Sequence, residues 1–163
     1  MSFNQNNRNG NNRQFSHNNN TVTKTTWKQD KNYEDFPKDQ ITDCITPKGV
    51  SYAEKFGTFL GTPYEENKGK GHLTTSQLRK FFGEVRRQDM KEYNQSEFIL
   101  LKPKLAYAVG RAKKEGQSKI EDFYLVMTEA IDLVKDQKTF NNFIKMFEAI
   151  VAYHKAVEPK EKN

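Results

Sequence analysis

Basic side chains are concentrated in one segment of the chain, where they could bind a negatively charged partner. The whole chain carries a net charge of +6, and residues 69–119 alone hold twelve Lys or Arg against five Asp or Glu. A positive field confined to one region attracts a polyanion more specifically than a diffuse one. The pattern therefore predicts a nucleic-acid-binding surface or, since most charge runs are solvated, an ordinary helical face. The residues alone leave both interpretations open.

The spacing of these residues predicts which of them share a surface. At 100° per residue, Arg79 and Arg86 flank one side of an apolar stripe centred on Leu78. Lys80 and Arg87 lie farther round, on the outward face of the same predicted helix. Its first turn presents free N–H groups and the positive end of the helix dipole, which suit an anion. A later predicted helix adds further basic residues, namely Lys102, Lys104 and Arg111.

Aromatic residues offer a second means of binding nucleic acid, by stacking on bases. Nearly all of the twelve Phe lie on predicted apolar stripes, so we assign them to the core. Tyr107 and Tyr153 fall beside their stripes and are the candidates for exposure. We favour contacts to the phosphate backbone over contacts to bases. Such binding is largely independent of sequence and is weakened by salt.

Residues that could form an enzyme site do not group into a known motif. The three His lie in a tail, a loop and a predicted helix, and no His-x-x-x-His, Cys-x-x-Cys or phosphate-binding Gly-rich motif occurs. His154 continues an apolar spacing and is interpreted as a core histidine, and the single cysteine, Cys44, has no evident activating partner. We therefore predict no catalytic activity, no cofactor and no metal site.

The helices that would position these residues are predicted from caps and apolar periodicity. Thr74 and Gln77 form a capping box before the stripe of Leu78, and Ser51 with Glu54 forms a similar one. No window alternates cleanly enough to predict a strand. The fold class expected is all-α, a compact bundle of about five helices with a disordered Asn-rich N-terminal tail. The predicted helices begin near Ser51, Thr74, Lys102, Ser118 and Thr139.

The N-terminal part of the chain differs in composition from the rest. The first twenty residues contain nine Asn, and such a segment buries too little surface to offset its ordering entropy. We predict a disordered tail over 1–32 and a helical bundle domain over 33–163, in which 33–49 is an irregular arm. The sequence shows neither an apolar signal region nor a membrane-length apolar stretch, so a cytoplasmic location is expected.

Three blocks of sequence carry a family resemblance. They are Leu-Thr-Thr-Ser-Gln-Leu-Arg-Lys-Phe-Phe at 73–82, Leu-Lys-Pro-Lys-Leu-Ala-Tyr-Ala-Val-Gly-Arg at 101–111, and Phe-Glu-Ala-Ile-Val-Ala-Tyr-His-Lys at 147–155. In this order they resemble the small subunit of the type III-A CRISPR (Csm) effector complex, over roughly residues 50 to 157. None of the blocks is a catalytic signature.

The resemblance implies a five-helix protein that acts in antiviral defence without nuclease activity. It implies copies that associate head to tail beside the crRNA–target RNA duplex and contact the backbone and large polymerase-like subunits. It also implies that a basic surface holds RNA phosphates. Arg86 and Arg87 lie just beyond the first block, and the basic residues inside the blocks are Arg79, Lys80, Lys102, Lys104, Arg111 and Lys155. The alternative is a helical protein–protein adaptor whose basic face meets acidic partners.

Overall fold

The computed structural model describes residues 26–63, 72–114 and 119–159, and every regular element in these ranges is helical. Five long helices form the bundle, which confirms the all-α prediction; of the tail predicted for residues 1–32, residues 1–25 lie outside the described residues. After a short 3-10 helix, Trp27–Gln29, the elements are α1 Asp39–Thr42, α2 Pro47–Gly61, α3 Thr75–Asp89, α4 Gln95–Phe98, α5 Leu101–Lys114, α6 Lys119–Asp132 and α7 Gln137–Val157. None of the helices in the described ranges is long and apolar enough to cross a membrane.

The last helix, α7, is the centre of the bundle. It packs against α1, α2 and α3, while α5 packs against α6. Phe147 of α7 is 1% exposed and contacts both Phe81 of α3, at 5.3 Å between ring centroids, and Phe123 of α6, at 6.0 Å. Aromatic pairs at such distances stabilise a core beyond the area that they bury. The predicted Phe-rich core is confirmed, and it fixes α3 relative to α6.

Two glycines of α2 let that helix lie almost directly on α7. A Cβ atom added at Gly57 would stand 2.5 Å from the carbonyl oxygen of Ile150, and one at Gly61 would stand 2.6 Å from that of His154. Carbon atoms do not approach oxygen so closely, so only glycine fits at either position. The Gly-x-x-x-Gly spacing in α2 is therefore a helix-packing feature.

The helix starts test the capping predictions. Thr74 caps α3 as predicted, since its hydroxyl accepts from the N–H of Gln77 and its own N–H donates to Gln77 Oε1 at 2.9 Å. The start predicted at Ser51 is wrong, because α2 begins at Pro47, in a position where a helix needs no N–H donor. α7 begins at Gln137, two residues before the predicted start.

The N-terminal arm joins the core earlier than predicted. Trp27 is 4% exposed, its backbone N–H donates to Asp122 Oδ1 at 3.0 Å, and its ring lies 5.2 Å from that of Phe56. Residues 26–32 therefore do not belong to a disordered tail, because Trp27 supplies a large apolar ring to the bundle. The side-chain amide of Asn142 then donates to two carbonyls around α1, those of Ile41 and Asp43, each at 3.0 Å.

Candidate nucleic-acid interface

An open groove runs between α3 and α5, with α6 beneath it. Its volume is about 340 Å³. The floor is apolar, because the amphipathic stripes of the three helices meet there. Leu78 and Phe81 come from α3, Leu105 comes from α5, and Ile120 and Phe123 come from α6. Buried core residues thus form the floor of the groove and fix its shape, while its rim is open to solvent.

Three of the predicted binding residues line this groove together. Lys80 comes from α3, while Lys104 and Arg111 come from α5, seven residues apart and so on the same side of that helix. Lys80 is exposed and makes no ion pair with any residue in the described ranges. Two helices that are separate in sequence therefore bring three cationic groups to one concave surface.

One carboxylate, that of Glu84, lies among these bases. It pairs with Lys104 and also with Arg87, whose Nη2 is 3.2 Å from Glu84 Oε1. The hydrogen bond from Lys104 lowers the pKa of Glu84, and the charge of Arg87 lowers it further, so the carboxylate stays ionised at neutral pH. Because Lys80, which has no ion pair in the described ranges, also lines the groove, its rim keeps a positive charge.

Arg79 and Arg86, which the sequence placed on one flank, differ in their surroundings. Arg86 is 3.0 Å from Asp89, pairs with Glu148 of α7, and lies 5.1 Å from the ring centroid of Phe82. Arg79 is exposed and has no ion pair within the described part of the chain. Arg86 is thus engaged in holding α3 to α7, whereas Arg79 is available to a partner.

Two further predicted residues lie away from the groove. Lys102 Nζ is 2.7 Å from Asp132 Oδ1, and Lys155 Nζ is 3.1 Å from Glu158 Oε2. Neither lysine lines the groove. Both lysines lie in the basic blocks of the sequence. In the structure, however, Lys102 joins α5 to α6, and Lys155 pairs with a residue at the end of α7.

The first turn of α3 is not open to an external anion, so that prediction is wrong. The carboxylate of Glu158 accepts a hydrogen bond from the N–H of Thr75 at 2.6 Å and another from the Thr75 hydroxyl. The positive end of the helix dipole is therefore already satisfied by an acidic side chain of the same protein. The prediction failed because Glu158 is 83 residues away in the sequence.

Tyr107 belongs to the groove, although the sequence did not place it there. Its side chain lines the groove and is 74% exposed, which confirms the prediction of exposure, whereas Tyr153 is half-buried. The offset of Tyr107 from the apolar stripe was the signal for exposure. Its position between Lys104 and Arg111 on α5 was visible in the sequence too, but the groove beside it depends on the packing of α3.

His154 occupies a core position, as predicted. It is fully buried, and its Nε2 lies 2.5 Å from the carbonyl oxygen of Leu73, which requires the proton on that nitrogen. Burial lowers the pKa of His154, so the ring is neutral at physiological pH. Cys44 is exposed. In the described ranges, no three His, Cys, Asp or Glu side chains are grouped closely enough to hold a metal ion.

Comparison with known proteins identifies the family of the chain. The family model described as Csm2 Type III-A matches residues 48–160, which run from the second residue of α2 past the end of α7 and include both walls of the groove. No curated protein and no solved structure shows significant similarity to the chain. The match covers well over half of the sequence and agrees with the resemblance found in its three blocks. The chain therefore belongs to the Csm2 type III-A family, the small subunit of the type III-A CRISPR effector complex.

Proposed function

We propose that this protein is a non-catalytic, RNA-binding scaffold subunit that contacts the phosphate backbone of crRNA or target RNA. In this role it helps to assemble the ribonucleoprotein filament together with neighbouring copies of itself and with the backbone and large polymerase-like subunits. The observation that carries the proposal is the convergence of Lys80, Lys104 and Arg111 on one open groove. Family membership supports the same role.

The geometry of α5 suits an extended phosphate chain. Lys104 and Arg111 are two helical turns apart, so they project from the same side at a separation of about 10 Å along the axis. A backbone that follows α5 would meet both, and Lys80 would reach it from the opposite wall. An Arg guanidinium forms paired hydrogen bonds to phosphate, whereas Lys acts as a point charge. Two other predicted contacts, Arg79 and Arg87, also lie on α3 but do not line the groove.

A charge-reversal pair tests the proposal on the full chain. The test variant carries Lys80→Glu and Arg111→Glu, and the control carries Lys48→Glu and Lys145→Glu, which change net charge equally but lie on α2 and α7. Fluorescence anisotropy with a labelled single-stranded RNA would give the Kd between 50 and 200 mM KCl. The three phosphate contacts of the groove alone contribute about −2 to the slope of log K against log salt, and the test variant should lose most of that contribution.

The outcomes separate RNA binding from the adaptor alternative. We expect the control variant to stay close to wild type, because only local charges release counterions at the binding site. Equal affinity and slope in the two variants would contradict the groove assignment. If the wild-type protein does not bind RNA at physiological salt, the adaptor role replaces the proposal. Circular dichroism and thermal melting would show that both variants keep the fold.

Affinity purification of the tagged protein from its source cells tests the assembly role independently. A scaffold subunit of this family should co-purify with a repeat-derived guide RNA and with larger effector subunits. Treatment of the eluate with ribonuclease would then show which protein partners depend on RNA. Recovery of protein partners without any guide RNA would count against membership in an RNA-containing filament.

A further inference from the structure

We propose that the groove between α3 and α5 holds one unpaired nucleobase, stacked on Tyr107, while the basic rim binds the neighbouring phosphates. This inference rests on the proposed RNA binding. It goes beyond that function, which involves only the phosphate backbone of the RNA, because it assigns a contact with a base. Its ligand is a single-stranded segment of RNA.

The exposure of Tyr107 is the first observation. A ring that is 74% exposed leaves most of its apolar surface in water, and no other aromatic ring in the described ranges contacts it. The phenol hydroxyl forms no hydrogen bond with a described residue. Tyr107 therefore contributes little to the core. An aromatic ring with a free face is the group on which single-stranded nucleic acids stack their bases.

The form of the groove is the second observation. A volume of about 340 Å³ lies within the range of small-molecule sites, and the floor beside Tyr107 is formed by Leu105, Phe81 and Phe123. A base has two apolar faces and a polar edge, so it can place one face on an apolar surface and keep its edge in solvent. The groove is open on one side, which permits this orientation.

Charge complementarity identifies the occupant. Lys104 precedes Tyr107 by three residues and Arg111 follows it by four, so both cations lie beside the ring on the same helix surface. Lys80 faces them across the groove, and Glu84, which pairs with Lys104, is the one carboxylate among the described residues that line it. An aromatic group with an anion on either side is the chemistry of a nucleotide within a strand. A helix of another protein would instead require a longer apolar surface, and three cations would oppose it unless it were acidic.

Paired RNAs and Tyr107 variants test the inference with the full chain. The probes are a labelled, unstructured 12-nucleotide RNA and the same strand with abasic ribose at every position. The variants are Tyr107→Ala and Tyr107→Phe, with Leu125→Ala as the control, because Leu125 is 58% exposed and lies outside the groove. For the intact RNA, Tyr107→Ala should weaken binding roughly 5- to 100-fold, while Tyr107→Phe and Leu125→Ala stay within about twofold of wild type.

The abasic strand distinguishes stacking from other causes of weaker binding. Wild type and Tyr107→Ala should bind it with equal affinity, since no base remains to stack. An equal loss on both strands would show that Tyr107 does not act through a base and would overturn the inference. Thermal melting of Tyr107→Ala should match wild type, because the removed ring is exposed.

The remaining outcomes separate this inference from the function beneath it. If Tyr107→Ala binds intact RNA like wild type while Lys80→Glu with Arg111→Glu weakens it, the base site is wrong and RNA binding stands. If wild type binds neither strand, both proposals fail. A labelled acidic amphipathic peptide provides the last comparison. If wild type binds this peptide and Tyr107→Ala does not change the affinity for RNA, the groove belongs to a protein partner and the base site is wrong.

Discussion

The carboxylate of Glu158 accepts the backbone N–H of Thr75 at 2.6 Å and thereby joins the end of α7 to the start of α3. The Thr75 hydroxyl and the ammonium of Lys155 complete its set of donors. The first turn of the helix that forms one wall of the groove is thus fixed by a residue just beyond the final helix. This contact positions α3 and leaves its first turn closed to RNA phosphates.

Replacement of Glu158 by Gln is expected to destabilise the protein in a pH-dependent manner. Burial favours the neutral acid, but the hydrogen bonds from Thr75 and Lys155 outweigh it and lower the pKa of Glu158 to about 2. Because the pKa is lower in the folded state, the carboxylate stabilises the fold above pH 4.5, and this contribution is lost as pH falls from 4.5 to 2. Glu158→Gln should therefore cost about 1–3 kcal/mol at pH 7 and much less near pH 2.5.

Urea denaturation at pH 7, 4 and 2.5 would measure this difference. Glu92→Gln is a suitable control, since Glu92 is exposed and has no ion pair within the described ranges. A constant difference between Glu158→Gln and wild type across the three pH values would show that the charge of Glu158 does not hold α3.

The sequence predicted those parts of the fold that depend on neighbouring residues. The cap of Thr74 and the apolar stripe through Leu78 are local, because a helix aligns residues three and four apart. The start of α2 was instead predicted at Ser51, four residues too late, because the capping box there was taken as the first turn and Pro47 begins the helix. The boundary predicted at residue 33 left Trp27 in the tail, because its partner Asp122 lies 95 residues away.

The candidate site was predicted by residue type but not by arrangement. All eight predicted basic residues lie on helices, as expected, yet of these eight only Lys80, Lys104 and Arg111 line the groove. Which cations are taken up by internal carboxylates depends on tertiary contacts such as Arg86 with Glu148. Helical periodicity describes one helix at a time, so it could not show that α3 and α5 share a surface.

Gly57→Ala should destabilise the bundle even though alanine is the better helix former. The new methyl group would stand 2.5 Å from the carbonyl oxygen of Ile150 and 2.9 Å from Cβ of Tyr153. Neither neighbour is a flexible side-chain end, so α2 and α7 must separate. Overpacking of this kind costs about 1–3 kcal/mol, and because the carbonyl of Ile150 is backbone and cannot rotate away, we expect this cost to outweigh the gain in helix propensity of about 0.5–1 kcal/mol.

Gly83→Ala is the matched control, because nothing lies within 4 Å of the added carbon and Gly83 is on the exposed side of α3. It should stabilise the protein by about 0.5–1 kcal/mol through helix propensity alone. Chemical denaturation of both variants would give opposite signs of the change in unfolding free energy. The same sign for both would mean that the close contact of α2 with α7 is absent in solution.

Because Lys119 is buried, we expect the free energy of unfolding to rise at alkaline pH. This lysine is 3% exposed, and its Nζ donates to the carbonyl oxygens of Phe59 and Thr62, at the end of α2. Burial lowers the pKa of Lys119 to about 8, although Asp30 and Asp122 oppose the shift. Between pH 8 and 10 the unfolded chain binds the proton more tightly, so stability should increase with pH, by up to about 1.4 kcal/mol per pH unit.

Lys119→Met should remove this increase, while Lys145→Met, at an exposed position on α7, should retain it. Guanidinium denaturation at pH 7.5, 8.5 and 9.5 would measure this increase. The neutral amine can still donate two hydrogen bonds to the end of α2. An equal pH dependence in wild type and Lys119→Met would assign the rise to other groups.

Arg79 and Arg86 should respond differently to substitution, although they are one heptad apart on the same helix. Arg79 is exposed and unpaired among the described residues, so Arg79→Ala should leave unfolding unchanged and lower RNA affinity. Loss of one phosphate contact releases about 0.7 fewer counterions, which is about fivefold in Kd at 0.1 M salt. Arg86→Ala should instead cost about 0.5–1 kcal/mol of stability, because it breaks ion pairs with Asp89 and Glu148, and should change Kd less than twofold.

Anisotropy titrations and urea denaturation of the two single variants would show whether each arginine contributes to RNA binding or to the stability of the fold. Lys145→Ala serves as the control for loss of one exposed charge outside the groove. If Arg86→Ala weakens RNA binding as much as Arg79→Ala does, the Arg86 ion pairs must open when RNA binds. The flank of two arginines inferred from the helical spacing would then be a single binding surface, and the binding free energy would include the cost of releasing Glu148.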